Sequence, residues 1–243
     1  MKNDNSAPAI GFDLPDWSAP TAPEKHLVLD GQFVRLDPLV ADTHATPLFQ
    51  KYAGHDAVWT YLPIGPFEDC SSYRNWVETA ENSVDPQFFA VWNKDTQEYE
   101  GTLSLLRINP QSGSIEVGFI AFSPAIQKTR AATEAIFLTM KYAFEAGYRR
   151  FEWKCDALNA PSRKAAQRLG LSYEGIFRQA TIVKGRNRDT AWFAAIDGEW
   201  PSLRQAFSRW LDPENFDSAG NQITSLSDLT QPILVATDPD LEI

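Results

Sequence analysis

The sequence predicts an α/β (α+β) fold in which one mixed sheet has flanking helices and a βαβ unit at its centre. Three strand-like stretches in succession between residues 87 and 122 indicate a meander with short turns. A helical pattern over 128–146 then separates the third strand from another at 150–155. Because a crossover helix joins parallel neighbours, this order predicts a βαβ unit in the middle of the sheet.

Before the meander, the chain predicts one strand and two helices. Their predicted bounds are 32–37 for the strand, and 41–53 and 70–83 for the helices. Asp42 or Thr43 is the expected cap of the first helix, and Asp69 that of the second, since short polar side chains accept hydrogen bonds from first-turn N–H groups. The second helix has an apolar face made of Tyr73, Trp76, Val77 and Ala80.

The remaining elements follow from alternation and from turn residues. The strands of the meander are expected at 87–93, 100–109 and 114–122, with later strands at 172–184 and 189–197 and helices at 161–169 and 201–210. Gly147 and Gly170 fit the ends of the two helices that precede them. A hairpin is predicted at Lys184–Gly185–Arg186, inside a basic group that includes Arg178 and Arg188, and its default interpretation is a solvated turn.

The net charge of −10 belongs to the ends of the chain. Residues 211–243 hold seven acidic and no basic residues, and residues 1–30 hold five acidic residues and two lysines. We therefore expect three parts: a flexible or surface-draped arm at 1–30, one domain at 31–210 and an acidic extension at 211–243. Phe12, Leu14 and Trp17 are candidates to pin the arm. Without a basic stripe, nucleic acid is not an expected partner.

Metal, membrane and disulfide chemistry are not expected from this composition. Cys70 and Cys155 lie far apart, and His26, His44 and His55 show no ligand spacing. No apolar run approaches the roughly 20 residues of a membrane span, and no secretory signal is evident. The sequence thus predicts a cytoplasmic protein that binds no metal.

The loop before the long helix is the strongest functional signal. A nearly continuous apolar strand at 114–122 is followed by Pro124 and a short polar loop that opens onto the helix. The first turn of a helix presents unpaired backbone N–H groups at the positive end of its dipole. Such a loop suits a phosphate or pyrophosphate. An ATP site is the weaker interpretation, since no Gly-Lys-Ser/Thr follows the strand.

Two segments of the chain together resemble the GCN5-related N-acetyltransferase (GNAT) superfamily, and within it the RimJ/RimL-type branch. The superfamily loop Gln/Arg-x-x-Gly-x-Gly/Ala corresponds to Gln127, Lys128, Thr129, Arg130, Ala131 and Ala132. The branch pattern N-x-x-S-x-x-x-x-x-x-x-G-F-x-x-E-G corresponds to Asn159, Ser162, Gly170, Leu171, Glu174 and Gly175. Leu171 replaces the usual Phe. Arg130 stands at the position of the first loop glycine. This replacement keeps the backbone N–H, adds a cation and places a Cβ where the backbone meets phosphate.

The resemblance implies a mostly antiparallel, twisted sheet whose βαβ unit binds acetyl-CoA as cosubstrate. Pantetheine would pair with backbone groups of Phe119, Ile120 and Ala121, and pyrophosphate would lie on Gln127–Ala132. The partner would be an amine acceptor, and the protein would be a monomer or homodimer. The rival hypothesis is a degenerate acyl-CoA sensor that binds without turnover.

Three further roles follow from the resemblance, each with an alternative. Glu116 is the candidate base; by alternation it shares a face with Gly118 and Ile120, opposite Val117, Phe119 and Ala121. The alternatives are that it faces out and pairs with Arg107 or Lys154, or that a water chain takes the place of a direct base. Asn159 is a candidate cofactor ligand or a turn residue. Ser162 is a candidate acid for the leaving thiolate or a cofactor contact, and the alternative is a structural role as the N-cap or in the first turn of the helix. The acceptor pocket candidates are Trp59, Tyr61, Trp76 and Glu174, against core packing for the aromatics and a bulge at Glu174–Gly175.

Overall fold

The computed structural model describes residues 10–218 and 220–241. Within them the strands are β1 (Leu29–Asp30), β2 (Val34–Pro38), β3 (Gln87–Asn93), β4 (Glu98–Asn109), β5 (Ser114–Phe122), β6 (Arg150–Asp156), β7 (Ser172–Val183) and β8 (Arg186–Ile196). The α-helices are α1 (Ala41–Tyr52), α2 (Cys70–Glu81), α3 (Arg130–Glu145), α4 (Ala160–Arg168), α5 (Trp200–Leu211) and α6 (Leu226–Thr230). Single 3₁₀ turns cover Asp56–Trp59, Pro213–Asn215 and Gln231–Ile233.

One mixed sheet organises the described chain, in the strand order β1-β2-β3-β4-β5-β6-β8-β7. Every pair of neighbours is antiparallel except β5 and β6, which are parallel and joined by α3. The predicted α/β class, the mostly antiparallel sheet and the central βαβ unit are therefore confirmed. The hairpin at Lys184–Gly185 is confirmed as well, since β7 ends at Val183 and β8 begins at Arg186.

Helices cover the two faces of the sheet and create two cores. On the α3 face, Ile115 and Val117 of β5 pack with the apolar side of α3 and with β6. On the α1–α2 face, Phe88 and Ala90 of β3 pack with an aromatic group from α1 and α2 that includes Tyr73. The alternation of β3 between the two cores follows from the period of two in a strand.

The starts of α1 and α2 differ in how they are capped. Asp69 caps α2 as predicted, accepting a hydrogen bond from the Ser72 N–H at 2.7 Å. The predicted caps of α1, Asp42 and Thr43, are wrong, because α1 begins at Ala41 and already contains both residues; its N-cap position is Val40, which has no side-chain cap. Instead, Nδ1 of His44 accepts the Val40 N–H at 2.8 Å. Burial lowers the pKa of His44, which favours the neutral ring that this bond requires.

A buried glutamate fixes α3 to the turn between β1 and β2. The carboxylate of Glu134 accepts the backbone N–H groups of Gln32, Phe33 and Val34 at 2.8, 2.6 and 2.9 Å. A Cβ atom at Gly31 would lie 2.6 Å from that carboxylate, so the turn admits no side chain there. These bonds satisfy the charge of a side chain that is 4% exposed and set the position of α3 over the sheet.

The two ends of the chain pack differently on this body. Of the three arm residues proposed as pins, Trp17 lies against Arg149, whereas Phe12 and Leu14 are 79% and 39% exposed. After α5, residues 212–241 add a 3₁₀ turn, α6 and a second 3₁₀ turn, none of which the sequence pattern predicted. Asp238 in this stretch is buried. The division into arm, domain and extension stays a prediction.

No helix within residues 10–218 and 220–241 is both long enough and apolar enough to cross a membrane.

Candidate functional site

A slot opens in the middle of the sheet where β5 and β6 separate. Residues Ser114–Val117 pair with Arg150–Trp153, after which the strands continue to Phe122 and Asp156 without pairing to each other. At the same point the register of β5 on β4 shifts, and Phe119 has a left-handed φ of 49°. A bulge of this kind bends the strand and breaks its ladder. Backbone groups of β5 that a parallel neighbour would use are thereby left facing the slot.

The bulge corrects the predicted faces of β5. Alternation placed Val117, Phe119 and Ala121 together, but only Val117 packs in the core on the α3 face. Phe119 and Ala121 pack in the core on the α1–α2 face, which is also the face of Glu116. The extra residue at the bulge moves every later side chain to the opposite face, which is why strict alternation fails.

The carbonyl of Ala121 has a buried partner that sequence analysis missed. The hydroxyl of Tyr52, at the end of α1, donates to this carbonyl oxygen at 2.7 Å. Tyr52 is 3% exposed, and burial raises the pKa of its hydroxyl well above the ordinary value, so it remains a donor. The bond ties α1 to the bulged part of β5. Aromatic periodicity in α1 was the available signal, and it indicated core packing alone.

The loop between β5 and α3 ends in a capped helix start. Thr129 is the N-cap, and its hydroxyl oxygen accepts the Ala132 N–H at 3.2 Å. Lys128 precedes it with a left-handed φ of 63°, so the helix predicted from residue 128 begins instead at Arg130. Gln127 turns back and donates through Nε2 to the Phe122 carbonyl at 2.9 Å.

This helix start offers an anion three donors. Among the residues that the structure describes, the backbone N–H groups of Lys128, Arg130 and Ala131 have no acceptor. They lie at the positive end of α3, whose dipole favours negative charge. Lys128 is exposed and adds a side-chain cation. The arrangement fits a pyrophosphate.

Arg130, at the position of the family's glycine, has its guanidinium between two aromatic rings. Its Cζ atom lies 4.7 Å from the ring centroid of Phe33 and 4.6 Å from that of Phe216. Within the described part of the chain, the guanidinium makes no hydrogen bond and no ion pair. Phe33 comes from the turn between β1 and β2, and Phe216 follows the 3₁₀ turn at Pro213–Asn215. The side chain that replaces glycine is thus accommodated by residues distant in sequence.

The second resemblance segment lies at the start of α4, directly after β6. Asn159 is the N-cap, and its Oδ1 accepts the Ser162 N–H at 3.2 Å. Ser162 is therefore not the N-cap, but it lies in the first turn of α4, the other structural position weighed for it. The Ser162 hydroxyl oxygen instead accepts the indole N–H of Trp153 at 3.0 Å. Beside it, burial raises the pKa of the Cys155 thiol to about 11, with Ser162 opposing that shift by a hydrogen bond.

Glu116 belongs to a row of alternating charges that we call the charge ladder: Arg107, Glu116, Lys154, Glu152, Arg150 and Glu174. The ladder crosses β4, β5, β6 and β7. Lys154 lies in its centre, 2.9 Å from Glu116 and 2.8 Å from Glu152, with its ammonium 3.7 Å from the ring centroid of Trp192. Arg107 contacts Glu116 at 2.7 Å from the solvent side. Both pairings that were weighed for Glu116 are present.

The ladder also sets the titration of its carboxylates. Glu116 is 3% exposed, and burial raises its pKa above the ordinary value, against the opposing charges of Lys154 and Arg107. Burial acts on Glu152 in the same direction, but hydrogen bonds from Arg150 and Lys154 hold its pKa below the ordinary value. Two glutamates that face each other across β5 and β6 are thus tuned in opposite directions.

The candidate acceptor residues are not gathered into one pocket. Trp59 is 2% exposed and lines a cavity of about 310 Å³ together with Phe49, Tyr52 and Phe67 and, at its rim, Asp56 and Glu68. Trp76 packs between Phe67 and Phe88. Tyr61 reaches the loop after β6, donating to the Leu158 carbonyl at 3.2 Å. Glu174 forms a bidentate ion pair with Arg150. The bulge predicted at Glu174–Gly175 is confirmed by the register shift before Gly175.

The predicted donor-side residues lie on, or directly after, the two strands that border the slot: Phe119, Ile120 and Ala121 on β5, the loop Gln127–Ala132 after it, and Asn159 with Ser162 after β6. Sequence analysis missed Phe216, Arg163 and the central place of Lys154. Lys154 alternates with Arg150 and Glu152 along β6, and this pattern of charges at every second residue was visible in the sequence. Within residues 10–218 and 220–241, no group of three or more His, Cys, Asp or Glu side chains could hold a metal ion.

A parallel strand pair that splays beside a capped helix start with free N–H groups defines an α/β protein with a site for an extended, phosphorylated ligand. The family model of the acetyltransferase (GNAT) domain matches residues 34–172. The chain therefore belongs to the GNAT acetyltransferase family and is an N-acetyltransferase.

Solved structures and curated proteins from several bacteria are similar to this chain. A GCN5-related N-acetyltransferase from Brucella melitensis has 45% identity and a TM-score of 0.87, covering 90% of this chain and 100% of that one. A GNAT-family protein from Chromobacterium violaceum has 42% identity and a TM-score of 0.74, covering 81% and 98%. The uncharacterized N-acetyltransferase p20 of Bacillus licheniformis is 29% identical over 62% of this chain and 86% of its own length.

Proposed function

We propose that this protein transfers an acetyl group from acetyl-CoA to a primary amine by direct attack on the thioester. The observation behind the proposal is the slot between β5 and β6, which leads to the free N–H groups of Lys128, Arg130 and Ala131. An extended ligand with an amide-containing arm and a pyrophosphate matches both features. Pantetheine pairs along β5 by strand addition, and pyrophosphate binds the helix start.

In this proposal the acetyl-CoA site is formed more by backbone groups than by side chains. Phe119 and Ile120 offer main-chain groups at the bulge, next to Ala121, whose carbonyl oxygen already accepts the Tyr52 hydroxyl. The loop Gln127–Ala132 offers its three free N–H groups to the pyrophosphate. The exposed side chain of Lys128 adds positive charge near those N–H groups, which strengthens anion binding, whereas the guanidinium of Arg130 is stacked between Phe33 and Phe216. Asn159 uses its Oδ1 as a cap, so its amide N–H₂ is the part left to contact the pantetheine arm.

Ser162 is the proposed acid for the leaving thiolate. Since Trp153 is the donor in its bond to Ser162, the hydroxyl keeps its own hydrogen for another acceptor. The amine nitrogen forms a bond to the acetyl carbon, the carbon–sulfur bond breaks, and the electron pair goes to sulfur. A proton reaches the sulfur to give the CoA thiol, and the ammonium nitrogen loses one proton to become the amide.

Glu116 is the proposed base for that ammonium proton. It lies on β5, two residues before the slot opens, and burial raises its pKa toward the range where a carboxylate accepts protons near neutral pH. Its ion pairs with Lys154 and Arg107 fix the orientation of the carboxylate. The proton is transferred to Glu116 directly or through water.

The acceptor is proposed to approach over the α1–α2 face, where the charge ladder and the cavity beside Trp59 lie. Acceptors to test are small amines, aminoacyl compounds and protein N-termini, which the RimJ/RimL-type resemblance implies. Structures of the ribosomal L7/L12 alpha-N-protein acetyltransferase RimL, at 21% identity, and of the self-immunity acetyltransferase MccE with acetyl-CoA and AMP, at 18%, share the fold with TM-scores of 0.60. The branch, the oligomeric state and a cytoplasmic location stay predictions.

Acetyl-CoA binding and turnover test the proposal in sequence. Acetyl-CoA at about 100 times its Kd stabilises a one-site protein by about 2.7 kcal/mol, which for this chain length raises Tm by roughly 5–10 °C. An amine panel with thiol-release detection then measures transfer. Absence of any Tm shift at millimolar acetyl-CoA would refute the donor. A shift without thiol release for any amine would favour the acyl-CoA sensor.

A further inference from the structure

The first turn of α3 is held from outside by the segment that follows α5. Phe216 stacks on Arg130, and it also packs edge-on against Trp210 with ring centroids 5.4 Å apart. Trp210 lies 5.0 Å from the guanidinium of Arg168, which donates to the Thr133 hydroxyl at 3.2 Å. Two positions of the first turn, Arg130 and Thr133, are therefore fixed through one aromatic pair.

Phe216 is itself held in a closed loop. The side chain of Asn215 donates to the carbonyls of Trp210 and Thr224 at 3.2 and 3.1 Å, and its Oδ1 accepts the Thr224 N–H at 2.9 Å. The indole N–H of Trp210 donates to Gln222 at 2.8 Å. These bonds make the ring of Phe216 part of an ordered support.

The same segment reaches the start of α4 through a buried ion pair. Asp238 is 1% exposed and binds Arg163 in bidentate fashion at 2.6 and 2.5 Å. Arg163 follows Ser162 and also donates to the Ala157 carbonyl at 2.9 Å, in the loop that leads to Asn159. A buried bidentate pair fixes both partners in one geometry.

We propose that the C-terminal brace, defined as residues 212–218 and 220–241, completes the acetyl-CoA site, and that Arg130 is the positioning residue through which the brace acts. The brace lies outside residues 34–172, the range that the family model matches, yet it contacts both segments that form the donor side. With its guanidinium stacked between Phe33 and Phe216, Arg130 holds the first turn so that its free N–H groups meet the pyrophosphate. This inference rests on the proposed function.

A double-mutant cycle on KM for acetyl-CoA tests it. Arg130→Gln and Phe216→Leu are each expected to raise that KM roughly five- to tenfold, a size between that of an exposed and that of a desolvated cation–π contact, with the amine KM and kcat within about twofold. The double variant is expected to be no worse than the worse single variant, because one contact is lost in all three. Phe216→Tyr keeps the ring and should retain the wild-type KM.

A matched control distinguishes positioning from general stability. Trp17→Leu removes an aromatic that another terminal segment places on an arginine, Arg149, away from the slot. It should lower Tm without changing KM for acetyl-CoA. An equal KM change in Trp17→Leu and Phe216→Leu would reduce the brace to a stabilising segment. A raised KM in Arg130→Gln alone would make Arg130 a direct phosphate ligand and overturn the proposal.

The brace and the proposed function fail in different ways. If wild-type protein shows no Tm shift with acetyl-CoA, the donor assignment is wrong. If the wild type shifts and Phe216→Leu shifts equally at the same acetyl-CoA concentrations, only the brace is wrong. Asp238→Asn tests the second contact of the brace, the ion pair with Arg163, independently. It is expected to raise KM for acetyl-CoA and to leave the amine KM unchanged. An unchanged acetyl-CoA KM would mean that the brace acts on the site only through Arg130.

Discussion

β5 joins two regions that are built in opposite ways. At one end, the charge ladder around Glu116 consists of side chains that neutralise one another, with Lys154 between two carboxylates. At the other end, the start of α3 consists of backbone N–H groups left without acceptors. The side-chain charges of the ladder are paired with one another without a ligand, whereas the free N–H groups at the helix start gain acceptors only when an anion binds. The donor site is thus a property of the backbone, and the proposed base depends on side-chain partners.

The largest expected effect is at the ladder. Glu116→Gln removes the proposed base and should lower kcat/KM by about 100-fold or more, as general-base substitutions do. A base must be ionised, so activity rises with pH through its pKa; because burial raises the pKa of Glu116, that rise lies above the range of an exposed glutamate. We call this rise of kcat/KM with pH the acidic limb, and pH profiles of kcat/KM should show that it is absent in the variant.

Glu152→Gln is the matched control, since Glu152 binds the same Lys154 at 2.8 Å. A similar loss of kcat/KM in both variants, with the acidic limb kept, would assign the effect to the intact ladder and not to proton transfer at Glu116.

Lys154→Met should cost about 3 kcal/mol of unfolding free energy, because it leaves buried carboxylates without their cation. The charge of Lys154 opposes the effect of burial on the pKa of Glu116, so its removal should move the acidic limb to higher pH. Urea denaturation and the pH profile measure the two effects. Lys164→Met, at an exposed position of α4, should change stability by less than about 0.5 kcal/mol.

Thr129→Ala affects the other end of β5 and should be milder. Loss of the cap on the Ala132 N–H costs about 1 kcal/mol and frays the turn that holds the free N–H groups. We expect a severalfold rise in KM for acetyl-CoA with the amine KM unchanged, and Thr129→Ser should restore both values. A changed amine KM would place the acceptor, not the donor, at this helix start.

The smallest effect is expected for Arg107→Gln. Arg107 is 59% exposed in its pair with Glu116, so the loss of unfolding free energy should be about 0.5 kcal/mol. The acidic limb should move to higher pH by less than in Lys154→Met, and added salt should shrink the difference from wild type. A larger shift than that of Lys154→Met would reverse the order of the two cations around Glu116.

Local patterns sufficed for the strands and most helices, because alternation and capping act within a few residues. β3 and β5 have the predicted bounds, and Asp69 caps α2 as expected. The bulge at Phe119 was not predicted: Gly118, directly before it, is a residue that often accompanies a bulge, but the strand was interpreted by strict alternation alone. The pattern of faces failed there for that reason.

For the site, the two segments that resemble the family predicted the donor-side residues but not the contacts that hold those residues in place. Arg130 was recognised as the departure from glycine, yet Phe216 lies 86 residues further along the chain, and no local pattern connects them. The pair of Arg163 with Asp238 is equally remote. Contacts of this kind arise from the packing of whole segments, which composition and periodicity do not report.

The bonds of Glu134 have a consequence for how a ligand would be received. Glu134 stands one turn after Arg130 on α3, and the turn it holds also supplies Phe33 to the Arg130 stack. One carboxylate and one ring therefore anchor the beginning of α3 to the same three residues. The entropy of ordering this helix start is lost when the chain folds, not when a ligand arrives. The proposed pyrophosphate site is therefore preorganised, and the conformational entropy lost on binding there would be mainly that of the ligand.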